Sequence, residues 1–500
     1  MNVTRVFEGQ DVTIDGRDVD VSALTYDSRR MKSNTLFAAI AGTTSDGHAF
    51  IKEAVEQGAI AVLVERDVDT HGATKILAKD SRRALAKAAH VFYGAPTDRL
   101  TMVGVTGTNG KTTTAFLIAA VLDAAKKPCG VVGTLGVRFG DTSIDTGMTT
   151  PESLELQSAF ATMRDQGAKA VSMEVSSHAL AQGRVEGVAY DVAVFTNLTH
   201  DHLDFHGTFE NYFAAKAELF RSHLKPNAKA VINIDDVYGA QLASELGDKV
   251  ITTSAQGNDA TLTAKAVQLA LDGTQFTVGD LHIDSPLVGR FNVDNLLAAI
   301  GVGLALGIAK TAIAEALRIR GVVPGRLERV QANVASRAEA PVVFVDYAHT
   351  PDALLKALQT VRGLGGERLI CVFGCGGDRD SKKREPMGEI VAKHADVGVV
   401  TNDNPRTEDP KEIAAAIERG LVAGGAVKNQ TYFVELDRER AINWAIAKAT
   451  TGDAVLIAGK GHEDYQIVGS EKKTFDDREV ARLALRRAAS TAALTARGDP

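Results

Sequence analysis

A short apolar run, LTMVGVTG at 100–107, passes through the loop GTNGKTTT into a helix-like stretch. No other feature constrains the fold as tightly, because a strand that feeds a helix through so tight a loop belongs to a βα unit of a mostly parallel sheet. Gly107, Thr108, Asn109 and Gly110 let the loop amides curl around an anion, and the helix N-terminus that follows adds the positive end of its dipole. Lys111 is placed to hold phosphates, and Thr112, followed by Thr113, to meet the Mg²⁺ that bridges phosphate oxygens. The spacing departs from the common rule: the position five places before Gly110 is Val105, and the nearest glycines are Gly104 and Gly107. A glycine-rich turn without function is the competing reading, but strand, GKT and helix stand in the right order for a nucleoside triphosphate site.

The same alternation runs through the chain. Apolar runs AIAVLVE (59–65), KAVSMEV (169–175), AVFTNL (193–198) and KAVINI (229–234) are separated by helical patterns, which reads as α/β with mostly parallel sheets. A length of 500 residues exceeds what one core supports. A first boundary is expected near 98, just after Gly94, Ala95 and Pro96 break the helical stretch SRRALAKAAHVFY. A second is expected near 321–325, where an Ala/Leu-rich helix gives way to the series PVVFVDYAH, RLICVFGCG, VGVVTNDNP and DAVLIAGKG. Three domains result: 1–98, 99–323 and 324–500.

Charge and cysteine content exclude several classes. Lys+Arg 56 against Asp+Glu 63 gives a net charge of -7 without a basic excess, so a nucleic-acid partner is not expected. Cys129, Cys371 and Cys375 form no CxxC and no paired framework, which argues against structural zinc or disulfide staples and fits a reducing cytoplasm. MNVTRVFEGQ lacks the order of a signal peptide, and the longest apolar stretch, 296–309, stops at Lys310, short of the ~20 residues a membrane span needs. A soluble chain is the expectation.

Two further segments sit where ligands bind in parallel sheets, just after a strand. Glu174 ends KAVSMEV-type apolar sequence and is followed by SSH; beside a phosphate loop it is a candidate Mg²⁺ ligand, although a strand-end glutamate alone is more often solvated. FTNLTHDHLDFHG packs His200, His202 and His206 with Asp201 and Asp204 into seven residues, a density that points to metal or phosphate contact. Lys216, in YFAAKAELF, reads from spacing alone as a surface lysine of a helix.

Taken together, GTNGKTT, MEVSSHAL, NLTHDHLDFHG, GRFNVDN, VPGRLE and DYAHTPDAL resemble the Mur ligase family, ATP-dependent enzymes that build the peptide stem of bacterial peptidoglycan. The likeness runs from Asp27 of DSR to DDRE at 476–479. It implies an N-terminal domain for the UDP end of the substrate, a central P-loop ATPase domain and a C-terminal Rossmann-like domain for the incoming amino acid. By motif, Tyr26 and Ser28 would lie near the uridine and Thr43, Thr44 and Ser45 beside the diphosphate; Thr149, Thr150, Ser176, Gln182 and Arg184 would hold the muramoyl peptide. Asn292 and Asn295 would lie near adenine, with Arg326, Asp346 and His349 of the third domain also on ATP. The resemblance gives Lys216 a sharper role, as a carbamylated lysine that ligates a second Mg²⁺ with His202 while Thr112 and Glu174 serve the first; Lys111, Lys216 and His202 form the implied catalytic set. An ammonium would repel the metal, whereas capture of CO₂ by a neutral amine yields an anionic oxygen ligand.

Within the family, GCGGDRD (374–380), DNPR (403–406) and GKGHEDYQ (459–466) resemble the branch that adds meso-2,6-diaminopimelate to UDP-N-acetylmuramoyl-L-alanyl-D-glutamate. The implied partners are those two compounds and ATP, acting on a monomer. Diaminopimelate differs from lysine by a second carboxylate, which Arg406 of DNPR is suited to bind, with Asp403, Asn404, Pro405, Arg379, Gly459 and Glu463 completing the pocket. An arginine on a solvated loop is the competing reading for Arg406. Two other functions compete: a ligase of the same superfamily acting on folate or a different peptide, and a nucleotide-gated regulatory protein that makes no covalent product. DNPR and the DSR-bearing first domain speak against the first, and a two-metal set with an amino-acid pocket against the second.

Overall fold

The computed structural model describes residues 1–42, 45–320, 323–331 and 341–496. Thr43 and Thr44, expected beside a diphosphate, lie outside the described residues. The chain divides into two compact units, one made of 1–263 with 294–313, the other of 264–293 with 314–500.

The first unit holds two sheets. Strands β1 (Val12–Asp15), β2 (Ala23–Thr25), β3 (Thr35–Ala38), β4 (Ala59–Val64) and β5 (Thr74–Ala78) lie in the order β1-β5-β4-β3-β2, parallel except where β1 meets β5. β3 is buried throughout and β4 nearly so, as the continuous apolar run of a doubly covered parallel strand requires. The helix Ser81–Phe92 is capped by the Asp80 side chain, and beyond its end Gly94 and Ala95 take left-handed backbone at φ 74° and 47° before Pro96.

The larger sheet comprises β6 (Thr101–Thr106), β7 (Cys129–Gly133), β8 (Gly136–Phe139), β9 (Thr142–Ile144), β10 (Ala170–Glu174), β11 (Tyr190–Phe195), β12 (Leu224–Asn233), β13 (Val250–Ser254) and β14 (Leu262–Thr263). Their order, β14-β13-β12-β11-β6-β10-β7-β8-β9, makes seven parallel strands finished by an antiparallel meander. β6 lies between β10 and β11, so the chain leaves it toward one side and later returns to the other. The strand order therefore reverses at β6, which opens a crevice at the carboxyl ends of the three strands.

The second unit carries an antiparallel sheet of β15 (Lys265–Ala270), β16 (Gly273–Val278) and β17 (Leu281–Ser285). Its main sheet, β18 (Glu328–Val330), β19 (Val342–Asp346), β20 (Leu369–Phe373), β21 (Val397–Val400), β22 (Tyr432–Val434) and β23 (Ala454–Ala458), runs β18-β19-β23-β20-β21-β22 and is parallel apart from β18. A hairpin of β24 (Tyr465–Val468) and β25 (Glu471–Thr474) follows. The apolar runs read from the sequence coincide with β4, β6, β10, β11, β12, β19, β20, β21 and β23. Mixed α/β architecture with mostly parallel sheets is thus what the chain adopts.

Below the main sheet of the second unit, the helices Arg438–Lys448 and Asp477–Ala496 are joined by an ion pair with no exposed side-chain surface, Arg438 Nη2 to Asp477 Oδ2 at 2.7 Å and Nε to Oδ1 at 2.7 Å. Arg438 also donates to the carbonyl oxygens of Asn402 and Ala458 at 3.3 and 3.0 Å. Removing one partner strands the other charge in the interior. Asp477→Ala is therefore expected to destabilise this unit by about 3–5 kcal/mol, read as a lower midpoint of urea unfolding; an unchanged midpoint would show the pair to be dispensable.

Candidate functional site

The loop after β6 is shaped by glycine. Gly107 has φ 147°, and a Cβ there would collide with Thr196 Oγ1; Gly110, at φ 84°, would collide with Asn295 Oδ1. These near approaches bind the loop to the segment after β11. Asn197 accepts from Thr108 N through its carbonyl at 2.8 Å and from Asn109 N through Oδ1 at 2.9 Å, while Thr196 Oγ1 donates to Asn109 O at 2.7 Å. Thr112 and Thr113 are buried in the first turn of the helix Lys111–Ala124, and Thr114 donates to Asn295 Oδ1 at 3.1 Å. Asn295 thus braces the loop after β6 from the helix Phe291–Ala305, whereas Asn292 on that helix donates to the Val288 carbonyl at 2.7 Å.

Lys216 is not the surface lysine that spacing alone suggested. It is 1% exposed on the helix Phe209–Ser222, and its Nζ donates to Gly107 O at 2.8 Å, the same oxygen that accepts from Lys111 Nζ at 3.0 Å. Lys111 also donates to Thr108 O at 2.8 Å. Burial, reinforced by the Lys111 charge, pushes the Lys216 amine well below its ordinary value, which favours the neutral, nucleophilic form. Nζ rests 4.5 Å from the centre of the Tyr212 ring, whose hydroxyl lies 3.2 Å from Thr108 Oγ1.

Around Tyr212 the histidines collect. The His178 ring centre is 4.8 Å from that of His202 and 5.6 Å from that of His206, and the centres of His206 and Tyr212 are 5.0 Å apart. His202 has left-handed backbone at φ 52° and faces Asp201, Nε2 to Oδ2 at 3.4 Å. His206 Nε2 lies 2.9 Å from Ser177 Oγ, and burial, followed by the neighbouring His178 ring, lowers its pKa to about 4. His200 stands apart from this cluster, exposed and against Phe209 with ring centres 6.0 Å apart.

On the other flank of β6, Glu174 ends β10 and is 1% exposed. Its Oε1 accepts from Thr134 N at 2.8 Å and its Oε2 from Thr134 Oγ1 at 3.2 Å. Thr134 Oγ1 also lies 3.1 Å from Thr149 Oγ1, and Thr150 Oγ1 donates to Glu174 O at 2.9 Å and accepts from Ser176 N at 3.0 Å. Arg184 donates to Thr150 O at 3.0 Å and to Gln182 Oε1 at 2.6 Å, and pairs with Glu152 at 3.0 Å, which in turn pairs with Arg82 at 2.6 Å. Thr149, Thr150, Ser176, Gln182 and Arg184 are therefore gathered in one chain of hydrogen bonds beside Glu174. Tyr26 donates to Glu155 Oε1 at 3.0 Å, outside that chain of hydrogen bonds, and Ser28 and Ser45 lie elsewhere in the first unit. Of the expected ligands, the Thr112 hydroxyl and the Glu174 carboxylate are hard oxygen donors of the kind Mg²⁺ takes, whereas the His202 imidazole and the bare Lys216 amine are nitrogen donors, and Lys216 would offer oxygen only as a carbamate. Among the described residues no three His, Cys, Asp or Glu side chains already form a metal cage.

In the second unit, three loops at the carboxyl ends of β20, β21 and β23 carry the DNPR group. Asn404 and Asp403 are buried; Asn404 Nδ2 donates to Glu463 Oε2 at 3.0 Å, and Gln466 Nε2 donates to Asp403 O at 2.8 Å. Arg406 has φ 51°, and its Nη1 donates to Gly377 O at 2.9 Å. Its backbone joins the β24 hairpin, with N donating to Ile467 O at 3.1 Å and O accepting from Gly469 N at 2.7 Å. A Cβ on Gly376 would lie 3.0 Å from Arg406 Nη1 and 3.7 Å from Arg379 Cγ, so Arg379, itself exposed, belongs to the same rim. Gly459, at φ 118°, lies open toward the Asp403 carboxyl, 3.7 Å from where its Cβ would be. Pro405 is buried beside Gly377. Arg326 lies over the Tyr347 ring at 5.4 Å, Asp346 accepts from Leu327 N and Ala348 N at 2.7 and 2.8 Å, and the His349 carbonyl accepts from Lys383 at 2.8 Å. Burial raises the Asp346 pKa.

Sequence reasoning passed over Thr134, Asn197, Tyr212 and Lys460, all of which touch site residues. Asn197 and Lys460 lay inside motifs already singled out, whereas nothing local marks Thr134 or Tyr212.

Three sequence profiles match the chain: "Mur ligase family, catalytic domain" at 20–100, "Mur ligase middle domain" at 105–303 and "Mur ligase, glutamate ligase domain" at 325–461. The chain is 46% identical over 480 residues to the UDP-N-acetylmuramoyl-L-alanyl-D-glutamate--2,6-diaminopimelate ligase of Geobacillus thermodenitrificans, covering 94% of this chain and 96% of that one. It is 47% identical over 478 residues to the protein of the same name from Syntrophomonas wolfei, covering 94% and 95%. A solved structure of a UDP-N-acetylmuramoyl-L-alanyl-D-glutamate--2,6-diaminopimelate ligase superposes with a TM-score of 0.73 at 32% identity, covering 98% of this chain and 99% of the other.

The His206 shift has a consequence for stability. The unfolded ring takes its proton near pH 6.5 and the folded ring near pH 4, so between these values the unfolded state binds more protons. Stability is then lost as the pH falls through that window. His206→Gln is expected to lose less melting temperature than the parent between about pH 7 and about pH 4.5; an equal loss in thermal melts would clear the ring of the effect.

Proposed function

The chain belongs to the Mur ligase family, and from that premise we propose that it is the ATP-dependent ligase that joins meso-2,6-diaminopimelate to the D-glutamate side-chain carboxylate of UDP-N-acetylmuramoyl-L-alanyl-D-glutamate, a step of peptidoglycan precursor synthesis. One observation carries the reading: the lysine amines of 111 and 216 meet at the Gly107 carbonyl, at the crevice end of a parallel sheet. There Lys111 and the loop amides supply positive potential for a polyphosphate, while Lys216, held neutral by burial, is the amine able to take up CO₂.

A carboxylate does not condense with an amine at neutral pH, because its oxygen is a poor leaving group. Transfer of the γ-phosphoryl group of ATP onto the glutamyl carboxylate gives an acyl phosphate, which the amine attacks; a tetrahedral intermediate then expels phosphate and leaves the amide. Lys111 and the loop amides stabilise charge on the transferring group, in line with the usual design of phosphoryl-transfer sites. Two Mg²⁺ ions, held by Thr112 and Glu174 and by His202 and a carbamylated Lys216, would supply neutralisation of the two anions that must approach each other. Formation of that carbamate needs a neutral amine, which burial of Lys216 supports.

Thr149, Thr150, Ser176, Gln182 and Arg184 are assigned to the muramoyl peptide, and Tyr26, Ser28 and Ser45 to the UDP end. Asn292, Asn295, Arg326, Asp346 and His349 are assigned to ATP. Segments 1–98, 99–323 and 324–500 serve as the UDP-binding, ATP-binding and amino-acid-binding domains. Arg406 pairs with the second carboxylate of diaminopimelate, Asn404 bonds a neighbouring polar atom, and Glu463 accepts from the ammonium. Lysine would leave the arginine without its anion, a mismatch that costs roughly 10⁴ in selectivity at sites built for such a bond. No helix among the described residues is long and apolar enough to cross a membrane. We assign the enzyme to the cytoplasm as a monomer, a compartment that its three free, buried cysteines suit.

The test is ADP release by the purified chain, which should require both the UDP-dipeptide and diaminopimelate and should fail with lysine. Release without either compound would sink the assignment. Arg406→Ala should raise KM for diaminopimelate by roughly tenfold to a hundredfold with KM for ATP nearly unchanged; equal rises would contradict a pocket role. Lys216→Ala should lose about 10² or more of the turnover, with partial recovery on adding a short-chain carboxylate, and parental activity in that variant would end the carbamate proposal.

A further inference from the structure

Lys460 is buried without any exposed surface, inside the loop that follows β23. The glycines beside it fix this placement. Gly459 and Gly461 have φ 118° and 54°, and a Cβ on Gly461 would lie 2.7 Å from Tyr347 Cβ, so the backbone can turn here only with glycine on either side. Lys460 Nζ is 3.3 Å from Asp403 Oδ1 and 3.5 Å from Glu463 Oε2, and it donates to Asn404 Oδ1 at 2.9 Å and to the Tyr465 carbonyl at 2.7 Å.

The amide of Asn404 is thereby oriented from both ends. Its oxygen accepts from Lys460 Nζ and from Ile467 N at 2.9 Å, while its nitrogen donates to Glu463 Oε2. Asp403 and Glu463 are two carboxylates on the two sides of that amide, and Lys460 is the cation between them. With Arg406, the half-buried arginine of the rim, these four charged side chains sum to zero; Arg379 on the same rim is exposed, where water and salt screen its charge. The far end of diaminopimelate, an ammonium and a carboxylate on one carbon, is also neutral overall. The far end of lysine is a bare cation. Two carboxylates without an internal counter-ion would draw that bare cation in, and Arg406 alone would have to reject it.

We propose that Lys460 is a specificity-determining positioning residue: it holds Asn404 and Glu463 in place and supplies the internal counter-ion that matches the pocket to a zwitterionic substrate terminus and against a plain diamine. The proposal rests on the reading of this site as a diaminopimelate pocket. It acts through partners already placed on the substrate, and discrimination arises as much from what the pocket repels as from what it binds.

The experiment compares the parent with Lys460→Met and Lys460→Arg in ADP release, with diaminopimelate and with lysine as acceptor, each variant checked for folding by its melting curve. If the parent releases no ADP with diaminopimelate, the underlying reading fails and Lys460 is not at issue. If the parent is active, Lys460→Met is expected to raise KM for diaminopimelate at least tenfold, leave KM for ATP within about twofold and reduce the preference for diaminopimelate over lysine by about 10²-fold. Lys460→Arg, which keeps the charge, is expected to retain most of that preference. A Met variant with parental preference, or one whose KM values for ATP and diaminopimelate rise together, would overturn the inference. Should Lys460→Met not fold, Lys460→Gln takes its place with the same expected loss of preference; failure of both uncharged variants to fold would also overturn it, in favour of a purely structural ion cluster.

Discussion

Two lysine side chains share one backbone oxygen, and the organisation of the first unit follows from making that arrangement tolerable. A carbonyl has two lone pairs and can accept from both Lys111 and Lys216 at 3.0 and 2.8 Å, but two full charges so close together in a buried place repel strongly. The chain resolves this by sequestering one of them. Lys216 sits against the Tyr212 ring, where loss of water favours the uncharged amine, while Lys111 stays half-buried on the loop carbonyls of Gly107 and Thr108. For the carbonyl to face both, Gly107 must adopt backbone that a side chain would block against Thr196. The glycine, the threonine and the asparagine next to it are thus parts of one constraint.

The two units place chemistry by the same rule. In the first, the phosphate loop, Glu174 and the Asn197 segment leave the carboxyl ends of neighbouring strands β6, β10 and β11. In the second, Gly376–Gly377, Asp403–Arg406 and Gly459–Glu463 leave β20, β21 and β23. Parallel strands aim these loops the same way, so residues far apart in sequence converge at one sheet edge without long excursions of the chain. The buried Arg438, bonded to the Asn402 and Ala458 carbonyls, ties together the backbone from which two of the second unit's loops depart.

Much of this was legible in the amino-acid order. Continuous apolar runs such as AIAVLV and TMVGVT are what a strand covered on both faces must contain, and each became a strand. GKT after such a run marked the loop between β6 and the helix Lys111–Ala124, and DNPR the loop after β21. The sheet of β15, β16 and β17 was not legible as such: β15 alternates exposed and half-buried positions and offers no apolar run to recognise. Lys216 read as a solvated helix residue because its burial comes from the loop after β6, more than a hundred positions earlier in the chain. Thr134 and Tyr212 escaped for the same reason. Their partners, Glu174 and Thr108, are made neighbours by tertiary packing, which no local spacing encodes.

The left-handed backbone of Arg406, held from both sides by the β24 hairpin, bears on how relatives could diverge. A lineage exchanging this one residue cannot draw freely on the twenty side chains. β-branched replacements are penalised by the main chain before any ligand arrives, while asparagine, aspartate and glycine pass. The hairpin therefore acts as a filter on which side chains position 406 can take without strain.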